Sequence, residues 1–340
     1  MTTETLAART DRYRPLVVAE MREVIGDGTA GLFDWMRYHL GWEDEAGQAV
    51  EARSGKLLRP TALLMAAELV GGSVTEVVPA AAAVELVHNF SLLHDDIEDQ
   101  SLTRHGRSTV WTFAGPAQAI NTGDGMFTLA HLAMHRLAVD ERRMLEAMRE
   151  LDETCLRLVE GQYLDISFET RQEVTRDEYI AMTGGKTAAM FAAPFAIGAL
   201  LGGASGDRVA AFRDFGRHIG LAFQAVDDLL GIWGDSELTG KPAGDDLLSR
   251  KMTLPVVAAL EADNDAAAEL AKAYAVPAAE DEDIAALADL VARLGGRSAT
   301  EAFAEEQVQA GLEALSAAGL DEAGDEACRG FAALVARRVF

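Results

Sequence analysis

The chain has 340 residues, 49% of them hydrophobic, enough to bury a large core and too apolar for a disordered chain. Its formal net charge of −25 argues against nucleic acid or an anionic membrane as a partner, so an anionic substrate would need a local cluster of cations, metal ions among them. The two cysteines, Cys155 and Cys328, lie far apart without metal-ligand spacing, which fits a reducing compartment and no disulfide framework.

Taken in chain order, Met1-Thr2-Thr3-Glu4 lacks the basic-then-apolar pattern of a signal peptide, and the expected location is the cytoplasm. Ala, Leu, Glu and Arg dominate and alternating Val/Ile/Thr stretches are missing, so the chain reads as helices almost throughout. Helices are predicted over 5–26, 28–40, 57–71, 79–101, 117–137, 141–171, 177–203, 207–233 and 251–262, with several more between 283 and 338. Breaks fall at Gly71-Gly72, Gly115-Pro116, Gly202-Gly203 and 234–246. Thr175 and Glu178 have the spacing of a capping box, which marks a helix start. The run from Ala188 to Ala204 is apolar but only 17 residues long, contains Pro194 and is rich in Ala and Gly. It reads as a buried core helix, and no membrane span is expected. The stretch 263–300 is acidic and Ala-rich and reads as a peripheral connection. Without repeats or a long linker, the expectation is a single all-α domain over 1–340, with many helices around a central cavity.

Two acidic clusters carry the chemistry. His94-Asp95-Asp96-Ile97-Glu98-Asp99 places Asp95 and Asp99 four apart, on one face of a helix and one turn apart. Acidic residues number 55 of 340, so such a window arises by chance roughly once in a chain of this composition. Its surroundings separate it from a solvated face. His88, Ser91, Asp95 and Asp99 form a polar stripe on a helix that is otherwise apolar. The positions where a surface helix would continue its charged face are Ala81, Ala82 and Glu85, so the upper half reads as buried and the aspartates crowd one end. Asp227 and Asp228 repeat the design among Leu221, Phe223, Val226, Leu229, Leu230 and Ile232. Buried carboxylates there require partners or a metal, and Mg2+ held between acidic walls suits a diphosphate. Basic residues recur beside Gly turns and near these clusters: Lys56, Arg59, Arg104, Arg107, Lys186, Lys241 and Lys251.

These segments resemble the trans-isoprenyl diphosphate synthases, the Mg2+-dependent all-α prenyltransferases. The resemblance runs in order from Gly55 to Pro255. It comprises Gly-Lys-x-x-Arg-Pro at 55–60, the run from His88 to Asp99, Arg104-x-x-Arg107-x-Thr109 and Gly161-Gln162-x-x-Asp165. It continues through Lys186-Thr187, Phe223-Gln224-x-x-Asp227-Asp228, Gly240-Lys241-Pro242, Asp246 and Lys251. It implies that Asp95, Asp99 and Asp227 coordinate Mg2+, three ions bound together with the allylic diphosphate, with Asp96 and Asp228 in support. Arg104, Lys186 and Lys241 would grip that diphosphate, and Lys56, Arg59 and His88 would hold isopentenyl diphosphate. His105, Arg107 and Lys251 are further substrate-binding candidates. Thr187 and Gln224 would lie near the reacting carbons, where their dipoles can stabilise an allylic cation. The implied reaction is ionisation, condensation and elimination, which needs no nucleophilic side chain.

The chain departs from the family pattern twice. His105 stands where a second consecutive arginine is usual, with Arg107 available to substitute, and Gly231 replaces the third aspartate of the second motif, with Asp235 nearby. Phe90, five residues before Asp95 and followed by the small Ser91, resembles the chain-length floor of a synthase making the twenty-carbon geranylgeranyl diphosphate. The fifteen-carbon farnesyl product is the alternative if Leu86, Val87 or the 117–137 helix closes the tunnel higher. A class I terpene cyclase and a non-catalytic partner subunit are the remaining alternatives. A homodimer is expected by analogy, with the 117–137 helix as a possible interface.

Overall fold

The computed structural model describes residues 4–50, 55–235, 244–279 and 283–336. Helices follow one another as α1 (Leu6–Ile25), α2 (Gly31–His39), α3 (Leu58–Leu69) and α4 (Val74–Glu98). A two-stranded hairpin, β1 (Thr103–Arg104) and β2 (Arg107–Ser108), separates these from α5 (Val110–Ala114), α6 (Pro116–Met134) and α7 (Glu141–Phe168). Then come α8 (Arg176–Thr183), a π-helical turn (Gly184–Ala188), α9 (Ala189–Leu201) and α10 (Gly206–Trp233). The remaining helices are α11 (Asp245–Leu248), α12 (Leu254–Leu260), α13 (Asp265–Tyr274), α14 (Ile284–Arg293), α15 (Gly296–Leu315) and α16 (Glu322–Ala336). The all-α architecture expected from composition is the one observed.

The chain divides into two compact units, Met1–Asp152 with Pro194–Val209 and Glu153–Ala193 with Ala210–Phe340. In the first, α4 is central and packs along α6, α3 and α1. Ala80, Ala81, Ala82 and Ala83 are wholly buried, so this stretch turns no face to water. The second is organised on α12, against which α8, α13, α14 and α15 pack. Its core includes Tyr179, Leu221, Val226, Leu254, Val257, Val291 and Phe303. Val74–Glu98 and Arg176–Leu201 are each long and apolar enough to cross a membrane, and 67% and 78% of their most apolar stretches are buried inside the protein, as core helices are.

Two local expectations need correction, and one gap between predicted helices is filled. Helix α4 begins at Val74, so Pro79 lies inside it rather than at its start. Proline there forfeits one backbone hydrogen bond, and the burial of Val77 and Val78 just before it outweighs the loss. The stretch 263–300 is not a peripheral connection. Asn264 Oδ1 caps α13 by accepting from Ala267 N (3.0 Å), and Asp283 Oδ1 caps α14 by accepting from Ala286 N (3.0 Å). Leu287, Ala288, Leu290 and Val291 on α14 join the core, so the acidic residues that disguise the segment are caps and an outer face. Lastly, the gap left between the predicted helices 79–101 and 117–137 holds the hairpin, with strand at 103–104 and 107–108 and the turn at 105–106. His105 and Gly106 both have positive φ (54° and 77°), the two-residue turn whose twist suits a tight hairpin. The predicted capping box does form: Glu178 N donates to Thr175 Oγ1 (3.2 Å) and Thr175 N to Glu178 Oε2 (2.9 Å).

Candidate functional site

In the first unit, the last turns of α4 divide their carboxylates by direction. Asp96 points inward, its side chain 2% exposed, and Oδ1 accepts from Arg104 Nε (2.8 Å) and Nη2 (2.7 Å). Asp95 is 21% exposed with Arg104 Nη2 3.6 Å away, and Asp99 is exposed. Burial raises the Asp96 pKa, Arg104 pulls it down, and Asp95 and Asp99 add to the rise. Asp96 Oδ2 is buried without a hydrogen-bond partner among the described residues.

Beside this end of α4 is a pocket of about 70 Å3. His39, Gly55, Leu57, Glu85, His88, Arg104 and His105 contribute to its wall. Arg59 Nη1 lies 3.2 Å from His88 Nε2, and Lys56 is exposed between the wall residues Gly55 and Leu57. Five of the predicted diphosphate-binding residues (Lys56, Arg59, His88, Arg104 and His105) therefore gather at this pocket or against its wall. Burial, with Arg59 and Arg104 adding repulsion, lowers the His88 pKa well below its usual value. Burial, with Arg104 and His105, pushes His39 down to about 3. Burial raises the Glu85 carboxyl, against which Arg59 and Asn89 act. His39 and Glu85 were missed by sequence reasoning, the first because it ends a distant helix and the second because it was read only as part of the buried half of α4.

The hairpin explains His105 and Arg107. His105 takes a left-handed backbone conformation, where His, Asn and Asp are the commoner non-glycine residues. Arg107 donates to Tyr38 O (2.7 Å) and Glu43 O (2.6 Å), with its guanidinium 3.9 Å from the Tyr38 ring centroid. It thus seats the hairpin on the end of α2, and it is not among the residues lining the pocket.

Phe90 is 9% exposed and meets the Phe127 ring of α6 edge-on, centroids 4.8 Å apart, and the His94 ring at 5.7 Å. Ser91 Oγ donates to His88 O (2.7 Å), a local bond that turns the hydroxyl back onto the helix. The partner Phe127 was not singled out from sequence, although it lies on the helix proposed to narrow the tunnel.

In the second unit, α10 repeats the division seen on α4: Asp227 is exposed and Asp228 is 4% exposed. Asp228 accepts from Tyr179 Oη (2.6 Å), Leu254 N (2.7 Å) and Gln224 Nε2 (2.9 Å). Burial pushes its pKa up to about 7 against the pull of these three donors. Lys186 and Thr187 occupy the π-helical turn, a rare backbone form found frequently at functional sites. Lys186 Nζ lies 2.5 Å from Asp165 Oδ2 on α7, and Thr187 Oγ1 donates to Gln224 Oε1 (2.7 Å). The turn approaches α7 closely because both sides lack a side chain: a Cβ on Gly161 would fall 2.8 Å from Gly185 C and Lys186 Cα. Gly231 leaves room in the same way, since Asp246 Oδ2 fills the space its Cβ would take. The carboxylate filling that gap is Asp246. Lys251, between α11 and α12, is half-buried and its N–H donates to Asp246 O (2.9 Å). Lys241 lies outside the described residues.

Among the described residues, no three His, Cys, Asp or Glu side chains converge as a closed metal cage. The outward carboxylates still fit Mg2+, which takes one or two carboxylates and completes its octahedron with water and substrate phosphate oxygens.

A model of the polyprenyl synthetase family matches residues 42–291. The chain is 46% identical over 279 residues to geranylgeranyl diphosphate synthase of Mycobacterium tuberculosis, covering 82% of this chain and 79% of that protein. It is 42% identical over 325 residues to (2E,6E)-farnesyl diphosphate synthase of the same organism, covering 94% and 86%. Among solved structures it is similar to a polyprenyl synthetase from Streptomyces coelicolor A3(2), with 39% identity and a TM-score of 0.92 over 97% of this chain and 99% of that one. It is also similar to geranylgeranyl pyrophosphate synthase from Corynebacterium glutamicum, complexed with isoprenyl diphosphate and magnesium. There the identity is 26% and the TM-score 0.82, over 99% of each chain.

Proposed function

The chain belongs to the polyprenyl synthetase family and is a trans-prenyltransferase, and from that premise we propose that it condenses isopentenyl diphosphate with a short allylic diphosphate to make geranylgeranyl diphosphate. The observation that carries this reading is the repeated division of the aspartate pairs. Asp96 and Asp228 turn into the protein, while Asp95 is partly exposed and Asp99 and Asp227 are exposed, which puts these three where Mg2+ can reach them. We assign three ions, bound with the allylic diphosphate. When bound, Mg2+ neutralises the charge that builds on the departing diphosphate.

The chain's own residues take the other roles in this reading. Arg104 and Lys186 add positive charge to the grip on the allylic diphosphate, and Lys241 is assigned the same task. Isopentenyl diphosphate is held by Lys56, Arg59, His88 and His105, so two permanent guanidinium charges, with Arg104 the second, offset the chain's overall negative charge at that pocket. Gln224 and Thr187 set carbonyl and hydroxyl dipoles against the allylic cation. The isopentenyl double bond attacks that cation, and the proton lost afterwards passes to the released diphosphate.

For chain length, Phe90 supports a floor one and a half turns below Asp95. A farnesyl product is the second reading. It is favoured by Phe127, whose ring doubles the aromatic barrier, and by the farnesyl synthase at 42% identity. Ile120 and Leu132 on α6 are 44% and 53% exposed, which supports a homodimer through that helix. Incubation with isopentenyl diphosphate and each short allylic primer, followed by product chromatography, tests the assignment. A twenty-carbon diphosphate is expected. Hydrocarbon released from farnesyl diphosphate alone would instead make the protein a cyclase.

A further inference from the structure

Four polar side chains in the second unit form one connected chain that starts outside the predicted site. Tyr179 Oη donates to Asp228 Oδ2 (2.6 Å), Gln224 Nε2 donates to Asp228 Oδ1 (2.9 Å), and Thr187 Oγ1 donates to Gln224 Oε1 (2.7 Å). Leu254 N, at the start of α12, shares Oδ2 with the tyrosine (2.7 Å). Tyr179 is 2% exposed and Thr187 8% exposed, so water has little access to either end.

The direction of every bond follows from chemistry. An ionised carboxylate only accepts, so Asp228 in that form draws the NH2 of the Gln224 amide toward itself, and the amide oxygen faces the other way. A hydroxyl facing that oxygen donates to it, which commits the Thr187 proton and leaves its lone pairs available. The orientation of the Gln224–Thr187 pair thus depends on Asp228 holding Oδ1 in place. A carboxylate turns about its Cβ–Cγ bond unless both oxygens are anchored. Tyr179 and Leu254 N anchor Oδ2, one from a side chain on α8 and one from backbone on α12.

We propose that Tyr179 is a positioning residue for prenyl transfer: its hydroxyl, acting through Asp228, fixes the Gln224 amide so that the negative ends of the Gln224 and Thr187 dipoles oppose the allylic cation. This rests on the role given to Gln224 and Thr187 above. Preorganised dipoles act in the transition state rather than in the ground state, so losing their alignment slows the chemical step and leaves binding largely unchanged.

The test uses the full-length protein in single-turnover rapid-quench reactions with saturating substrates, and calorimetric binding of inorganic diphosphate in the presence of Mg2+. Tyr179→Phe should slow the chemical step at least tenfold, with diphosphate affinity within twofold of the unaltered protein. Gln224→Ala should slow the same step, and adding Tyr179→Phe to it should slow it no further, because the tyrosine acts only through the amide. Incorporation of 4-aminophenylalanine at position 179 restores a donor at the same place and should restore the rate; it also carries the test if Tyr179→Phe does not fold. A slow Gln224→Ala with a normal Tyr179→Phe, or two fully multiplicative effects, would overturn the proposal. A normal rate in Gln224→Ala would instead overturn the role given to that pair.

Discussion

Replacing Gly161 with alanine should disable catalysis while leaving most of the fold in place. The added Cβ would stand 2.8 Å from Gly185 C and Lys186 Cα, and closer still to Lys186 N, where ordinary contact begins at 3.4 Å. The neighbours are backbone, so no flexible side chain can swing aside, and the π-helical turn must retreat from α7 by roughly 1 Å or more to clear Lys186 N. Alanine in a helix interior gains roughly 0.5–1 kcal/mol over glycine, while overpacking costs about 1–3 kcal/mol. The balance is a loss of about 1–2 kcal/mol, or a Tm lowered by roughly 1–3 °C in a protein of this size. Activity should suffer more. The turn carries Lys186, 2.5 Å from Asp165 on the same α7, and Thr187, 2.7 Å from Gln224. A misplacement near 1 Å costs on the order of a hundredfold in rate, so kcat should fall tenfold to about a hundredfold. Steady-state incorporation of labelled isopentenyl diphosphate, paired with a thermal scan, reads both quantities. A kcat within twofold of the unaltered protein, at an unchanged Tm, would refute the reasoning.

Phe90→Ala should lengthen the product, and Phe90→Ala combined with Phe127→Ala should lengthen it further, because the two rings meet edge-on; an unchanged product distribution in the double variant sinks the floor assignment. Gly231→Asp, which restores the residue usual in the family, should lower activity, since Asp246 Oδ2 fills the space the new Cβ needs; higher activity would show that Asp246 gives way freely. The last prediction concerns pH. Residue 39 has a folded pKa of about 3 against an ordinary value of 6.5, so between those values the unfolded chain holds a proton there that the folded chain lacks. Stability from this residue is therefore present above pH 6.5 and is lost as pH falls toward 3. His39→Asn should flatten the decline of Tm between pH 7 and pH 5, and an equally steep decline would contradict it.

Part of the site could be read from spacing, and the roles of its residues from the family resemblance. Asp95 and Asp99 share a face because they are four apart, and the Thr175–Glu178 box starts α8 where expected. The partners of these residues could not be read this way. Tyr179 precedes Asp228 by 49 positions, and nothing in its own neighbourhood marks it as the donor to a buried carboxylate. Arg107 looks like any other cation beside the acidic run until the hairpin delivers it to the carbonyls of Tyr38 and Glu43. The acidic composition of 263–300 conceals α13 and α14, because capping aspartates and asparagines look the same as loop residues until a helix follows them.

Composition and periodicity by themselves determined an all-α chain and its two aspartate motifs, and the order of the motifs carried the family resemblance that implied the class of reaction. Those properties repeat at the helical period or lie in short contiguous runs, and local geometry converts them directly into faces. Only the tertiary structure decided which aspartate of each pair turns inward and why Gly161 and Gly231 must lack side chains. It alone brought Tyr179, Asp228, Gln224 and Thr187 into one chain of hydrogen bonds. Each of these depends on how closely two distant backbones approach, a distance of a few ångströms set by packing of whole helices.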